Sequence, residues 1–144
     1  TGSIMEFQEV RRFLEANHRC VVTTVRPNGA VQASVVVCGP YQGQVALVSV
    51  RGNAAKIRNL RRDPRCTVLT VAADWRSYAV VEGQAQLLDA GNTEAEELRR
   101  CLREVYRACG GGEHPDWEEY DRVMRERGAV VVLVRPDRIY GLLR

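Results

Sequence analysis

Lysine is almost absent from this chain. Of its 21 basic residues, all are arginine except one, Lys56. Histidine is scarce as well: His18 and His114 lie far apart, each near a predicted helix end, and both read as surface residues. A zinc site needs clustered ligands and a hydrolase triad needs a placed histidine, so neither chemistry has support. No apolar run of about 18 residues occurs, which excludes a membrane-spanning helix. The N-terminus has no apolar segment of the secretory kind, so a cytoplasmic location is expected. The five cysteines, Cys20, Cys38, Cys66, Cys101 and Cys109, are odd in number and none has C-x-x-C spacing. They read as small buried hydrophobes in a reducing compartment. There is no G-x-x-x-x-G-K-[ST] loop, no G-x-G-x-x-G after a strand and no G-x-S-x-G elbow. Nucleotide hydrolysis, Rossmann-type dinucleotide binding and elbow-type hydrolysis therefore lack their signatures.

What remains is an ordinary globular composition, 45% hydrophobic and 27% charged over 144 residues, which suits one domain. Thr1 to Ile4, ahead of Met5, read as a tag remnant; residues 5–144 then form the single domain. The net charge of +3 is compatible with an anionic ligand and does not argue for nucleic acid. Phe7, Val10 and Leu14 mark a helix over Glu6–Asn17. Cys20–Arg26 and Ala30–Cys38 read as strands joined at Asn28-Gly29, a strong hairpin signal. On the second strand Val31, Ala33, Val35 and Val37 form one apolar face, and Gln32 and Ser34 lie on the other. A turn at Gly39-Pro40 and Gln42-Gly43 precedes a strand over Gln44–Val50. Asn53–Arg62 reads as a helix, capped by Asn53 and stopped by Pro64. Strands over Cys66–Ala73 and Ser77–Leu88 follow. A helix capped by Thr93 with Glu96 carries Leu98, Cys101, Leu102, Val105 and Cys109 on one stripe and ends at Gly110. Pro115 opens another helix with Trp117, Tyr120 and Met124 on one side. Ala129–Val134 and Arg138–Leu142 are the last strands. Hairpin-linked strands predict a mainly β, antiparallel sheet curled into a small closed or nearly closed barrel with flanking helices.

Two segments carry candidate chemistry. The first runs from Ser49-Val50-Arg51 through Gly52 into the helix bearing Lys56 and Asn59. Free backbone amides and the helix dipole favour an anion there, Lys56 adds a point charge, and Asn59 lies three residues on along the same face. Ser49 and Arg51 point the same way along the strand. The basic residues Arg58, Arg61, Arg62 and Arg65 read as a solvated face. The second segment is Asp74-Trp75-Arg76-Ser77-Tyr78, where aromatic rings beside a cation suit a flat heterocycle with an acidic tail.

These residues resemble a known family. Val22-Thr23-Thr24-Val25-Arg26-Pro27-Asn28-Gly29 with Gln32 and Ser34, the block Ala55-Lys56-Ile57-Arg58-Asn59-Leu60-Arg61-Arg62-Asp63-Pro64-Arg65, the strand Ser77–Leu87, His114–Tyr120 and Arg138–Leu142 are similar to the pyridoxamine 5′-phosphate oxidase-like split β-barrel superfamily, in its actinobacterial F420-dependent branch. The resemblance implies a split barrel of about six to seven strands. It also implies a homodimer with two sites at the subunit interface, each binding coenzyme F420, or FMN in the sister branch. Lys56 and Asn59 would lie near the cofactor phosphate, with Ser49, Val50 and Arg51 beside them. Gln32, Ser34 and Val36 would line the ring face, and Trp75, Arg76 and Tyr78 would come from the other subunit. Relatives often carry arginine two residues before the lysine, where this chain has Ala54; Arg51 would supply the charge from the preceding turn. The implied activity is F420H2-dependent hydride transfer to a conjugated small molecule: a biliverdin-like tetrapyrrole, a quinone or an unsaturated heterocycle. The alternatives are FMN-dependent oxidase-like chemistry and a cofactor carrier without turnover. No metal, membrane or nucleic acid is expected to take part.

Overall fold

Residues 3–144 are described by a computed structural model in which the period-2 and period-3.6 segments become eight strands and four helices. Chain order is β1 (Ser3–Ile4), α1 (Phe7–Ala16), β2 (Arg19–Val25), β3 (Val31–Val37), β4 (Gly39–Tyr41), β5 (Gln44–Ser49), α2 (Ala55–Arg62), β6 (Arg65–Val71) and β7 (Tyr78–Leu88). Then come α3 (Ala95–Tyr106), a π-helical turn (Arg107–Gly111), α4 (Trp117–Glu126) and β8 (Val130–Leu142). All pairings are antiparallel, in the order β3-β2-β6-β7-β8-β5-β4, and β1 adds to β8. The ends of that order, β3 and β4, are consecutive stretches of chain on either side of Cys38. The Cys38 amide donates to the His18 carbonyl at 2.8 Å. The sheet therefore curls back on itself, while β3 and β5 share no ladder. This is the expected α+β split barrel, and the gap between β3 and β5 is its split.

Two apolar clusters hold the fold. Inside the curl, Val22 and Val68 from β2 and β6, Val45 and Leu47 from β5, and Val130, Val132 and Val134 from β8 meet Val10 and Leu14 of α1 and Ile57 and Leu60 of α2. Outside it, Val131 and Leu133 of β8 and Ala46 of β5 pack under Leu98, Leu102 and Val105 of α3 and Tyr120 and Met124 of α4. β8 is thus covered on both faces, which is why its sequence is a continuous apolar run rather than an alternating one. Each fully buried valine there contributes about 1.5–3 kcal/mol.

Several local expectations are corrected by longer-range bonding. Gly39-Pro40 is not a turn: it begins β4, with Gly39 opposite Ala46. The two terminal strands merge into one, because the ladder steps from Pro136 opposite Gly83 to Arg138 opposite Glu82 and leaves Asp137 as the extra residue of a bulge. That bulge accommodates Pro136, which has no ladder donor. Helix α2 is capped by Ala54 rather than Asn53, since the Ala54 amide closes a turn onto the Arg51 carbonyl at 3.3 Å. Helix α3 is capped by Glu94, whose carboxylate accepts the Glu97 amide at 3.0 Å, while the Thr93 hydroxyl bonds Asn92. At the first hairpin only Gly29 has positive φ, at 86°, so the turn is not of the kind that needs both central residues left-handed. Cysteines are not all unpaired either: Cys20 joins Cys38, their Cα atoms 6.4 Å apart, leaving Cys66, Cys101 and Cys109 free. The pairing was hidden from spacing because the hairpin register, with Arg19 opposite Val37, brings the two together. Among the described residues, no helix is long and apolar enough to cross a membrane.

Candidate cofactor site in the split of the barrel

A cavity of about 810 Å³ opens along the split. That volume falls toward the upper part of the range of about 300–1,000 Å³ typical of small-molecule sites. Val35, Val36 and Val37 of β3 form one wall, and Val48, Ser49 and Val50 form the other as β5 ends. Arg51, Ala54 and Lys56 close one end.

The closed end is built by a tight loop. After β5 the chain turns through Arg51-Gly52-Asn53, and the Ser49 hydroxyl donates to the Arg51 carbonyl at 2.9 Å. The Gly52 amide donates to the Arg127 carbonyl at 3.2 Å, and a Cβ on Gly52 would collide with the Gly128 carbonyl oxygen. The α4–β8 turn therefore lies against this loop, and only glycine lets the two backbones approach so closely. Ala54 gives α2 no side-chain cap, so among the described residues the Ala55 and Lys56 amides have no partner. Lys56 stands in that first turn, half-buried and in no salt bridge among the described residues. Burial lowers its ammonium from the ordinary lysine value. An uncapped helix start, a partly desolvated lysine and a neighbouring arginine together make a corner whose electrostatics favour an anion. They fit a phosphate.

Of the residues singled out from sequence, Val36, Ser49, Val50, Arg51 and Lys56 line this one cavity. Asn59 does not line it. It is buried, its amide donating to the Thr24 hydroxyl and to the Gln32 side-chain oxygen, each at 3.0 Å. Gln32 is thereby tied to α2, and Asn59 anchors the helix that carries Lys56. Ser34 lies on the same face of β3 as Gln32 and Val36 and is half-buried. Trp75, Arg76 and Tyr78 lie at the β6–β7 turn and the start of β7, away from the cavity of their own chain. Trp75 has φ 64° and is 82% exposed. The apolar face of β3 also points outward: Val31, Val35 and Val37 are exposed, Val35 at 83%. The arginines beyond Lys56 are largely engaged, Arg61 with Asp89 at 2.8 Å, Arg65 with Asp63 at 2.6 Å and Arg62 with the Val25 carbonyl.

The remaining lining of the cavity was not read from sequence. It is formed by Tyr106, Cys109, Gly111, Tyr120 and Met124. Trp117, Tyr120 and Met124 share one side of their helix by spacing, and Tyr120 and Met124 are packing residues as well. The helical stripe that predicted them as core says nothing of which sheet edge the helices meet. Burial pushes the Cys109 thiol up to about 12, so no thiolate stands here near neutral pH. Burial likewise raises the Tyr120 phenol above its usual value. No cluster of three metal-ligating side chains is present among the described residues.

The family model described as pyridoxamine 5′-phosphate oxidase matches residues 7–142. The chain belongs to that family. Solved structures share the fold of this pyridoxamine 5′-phosphate oxidase family member. A conserved hypothetical protein from Mycobacterium tuberculosis aligns with TM-score 0.77 and 22% identity, over 96% of this chain and 84% of the other. An F420 reductase aligns with TM-score 0.66 and 17% identity, over 90% and 94%. A heme binding protein from Mycobacterium smegmatis aligns with TM-score 0.68 and 21% identity, over 96% and 54%. Identities this low speak to fold and leave the ligand to the site itself.

Proposed function

We propose that this protein is a coenzyme F420-binding oxidoreductase that reduces a conjugated organic substrate. The observation that carries the reading is the two-part cavity, with an anion corner of Lys56, Arg51 and the uncapped α2 start opening directly into valine walls. That combination suits a flat heterocycle with a phosphate on its side chain. The family includes oxidoreductases, and one structural relative is an F420 reductase. A bound deazaflavin supplies the hydride chemistry. The chain's own groups do the rest. Lys56 and Arg51 hold the phosphate, Val36, Val48 and Val50 orient the ring and exclude water, and Asn59 keeps α2 in register through Gln32. No nucleophilic side chain is required, in keeping with the raised Cys109 thiol.

The site is shared between two copies in this reading. The exposed valine face of β3 is an apolar surface of the kind that marks an interface, and Trp75 is exposed as well. A second copy docked there would bring its β6–β7 turn, with Trp75, Arg76 and Tyr78, over the cavity mouth.

FMN is the second reading, favoured by the family match and by a relative described as a putative pyridoxamine 5′-phosphate oxidase from Listeria innocua. Titration with F420 and, separately, FMN decides between them. Quenching of Trp117 is a local readout, because its ring lies 5.5 Å from Tyr106 and 5.3 Å from Tyr120, both on the cavity wall. Tight F420 binding with weak FMN binding is expected. The reverse order moves the protein to flavin chemistry, and binding of neither refutes a cofactor role. Saturable F420 binding without oxidation of F420H2 by any conjugated acceptor identifies a carrier.

A further inference from the structure

A second cavity, of about 290 Å³, lies between α3 and α4 where α4 turns into β8. Its volume is near the lower bound of about 300 Å³ for small-molecule sites, so only a compact guest fits. Leu98, Leu102, Met124 and Ala129 give it an apolar lining. Four charged residues share that lining: Glu96, Arg99, Asp121 and Arg125. Three of them answer one another. Arg99 is 2.6 Å from Glu96 and 3.7 Å from Asp121, and Arg103 holds Asp121 through two bonds, at 3.0 and 2.5 Å. Arg125 alone has no ion pair among the described residues, so the unmatched charge of the lining is positive. One further group is unmatched. The Arg99 Nε is buried and bonds nothing, the one such side-chain atom among the described residues. Buried donors are nearly always satisfied, so the α3–α4 seam is short of an acceptor. The atom is covered, and Arg99 must shift before it meets one. An apolar lining with a spare cation and a shortage of acceptors suits a small molecule with an apolar body and one carboxylate.

Two contacts connect this cavity to the one along the split. Met124 lines both. Gly128 lines the second, and its carbonyl lies against Gly52, whose own amide donates to the Arg127 carbonyl at 3.2 Å. Gly52 follows Arg51, which lines the split. Methionine is flexible and adapts its packing, so the shared wall can yield. A wall between two cavities gives way toward the empty one, so filling either narrows the other.

We propose that the α3–α4 cavity is an effector site for a small apolar monocarboxylate, with Arg125 taking the carboxylate, and that its occupancy weakens binding in the split. The site stands on its own lining; only the coupling rests on the reading of the split as the cofactor site.

The test is isothermal titration of the whole protein with octanoate and with octylammonium, a chain of the same length and opposite charge. Wild type is expected to bind octanoate and to prefer it to octylammonium. Arg125→Gln removes the charge from an exposed side chain. It is expected to weaken octanoate by about three- to tenfold, between an exposed ion pair and a buried charged hydrogen bond. Ala95→Leu adds bulk at an exposed position of the lining and is expected to abolish octanoate binding without lowering the melting temperature of the free protein. Neither residue lines the split. Saturating octanoate is expected to weaken F420 by about fivefold or more, and F420 to weaken octanoate by the same factor; Ala95→Leu removes both effects. No octanoate binding by wild type, equal binding of octylammonium, or octanoate affinity that either variant leaves unchanged overturns the site. F420 affinity that octanoate leaves unchanged or improves, or a weakening that persists in Ala95→Leu, overturns the coupling. Octanoate binding with failure of F420 to bind overturns the cofactor reading alone and keeps the site.

Discussion

Removing the Lys56 ammonium isolates the anion corner from the fold. The side chain is half-buried, stands in the first turn of α2 and carries no salt bridge among the described residues. Lys56→Ala therefore orphans no carboxylate, and alanine is the better helix former. Folding stability is expected to change by less than about 1 kcal/mol. Binding is a different matter. A charge-assisted hydrogen bond to a phosphate is worth about 1.5–3 kcal/mol, which weakens F420 by about ten- to 150-fold. The pH dependence has a definite sign. Burial lowers the Lys56 ammonium from its ordinary value. Only the protonated form attracts phosphate, so wild-type affinity falls as pH rises through that lowered value, and binding takes up protons there. The alanine variant lacks this limb of the profile. The assay is isothermal titration of both proteins with F420 at neutral and alkaline pH, with thermal melts of the free proteins alongside. An unchanged dissociation constant, or a loss of affinity matched by a fall in melting temperature, would falsify the phosphate role.

Two further substitutions separate the supporting elements from the interface. Gly52→Ala places a methyl group against the Gly128 carbonyl. It is expected to cost about 1–3 kcal/mol, seen as a lower urea midpoint, and to weaken F420 by displacing Arg51; an unaltered midpoint would show that the two turns part freely. Val35→Asp puts a charge on a side chain that is 83% exposed. The protomer is expected to keep its melting temperature to within what about 0.5 kcal/mol produces, while the proposed dimer, followed by light scattering, falls to monomer. A dimer that persists unaltered places the interface elsewhere.

Much of the secondary structure was legible because it is local. The β2–β3 hairpin follows from β-branched alternation around Asn28-Gly29, and α1 from Phe7, Val10 and Leu14 at helical spacing. That Ser49, Val50, Arg51 and Lys56 share one cavity was legible for the same reason, since they lie within a few residues of one strand-to-helix turn. Boundaries failed where a bond from outside the segment competed. The Arg51 carbonyl moved the α2 cap to Ala54, pairing with Ala46 drew Gly39 into β4, and the bulge opposite Gly83 carried β8 through Pro136.

Asn59 shows the limit of helical spacing. Three residues from Lys56, it shares a helix face by periodicity, yet its amide is buried between Thr24 and Gln32, because curling of the sheet brings β2 and β3 under α2. The period-2 pattern separated the valine face of β3 from its Gln32–Ser34 face without saying which looks inward. Curling of the sheet turned the polar side toward α2 and left Val31, Val35 and Val37 exposed, the last two also lining the cavity. Tyr106, Tyr120 and Met124 joined Lys56 in one cavity only through packing of α3, the π-helical turn and α4 beside the end of β5. Patterning along the chain records what each segment must bury. Which segments share a cavity depends on contacts between residues 50 or more positions apart, such as Lys56 and Tyr106, and those form only when the sheet closes.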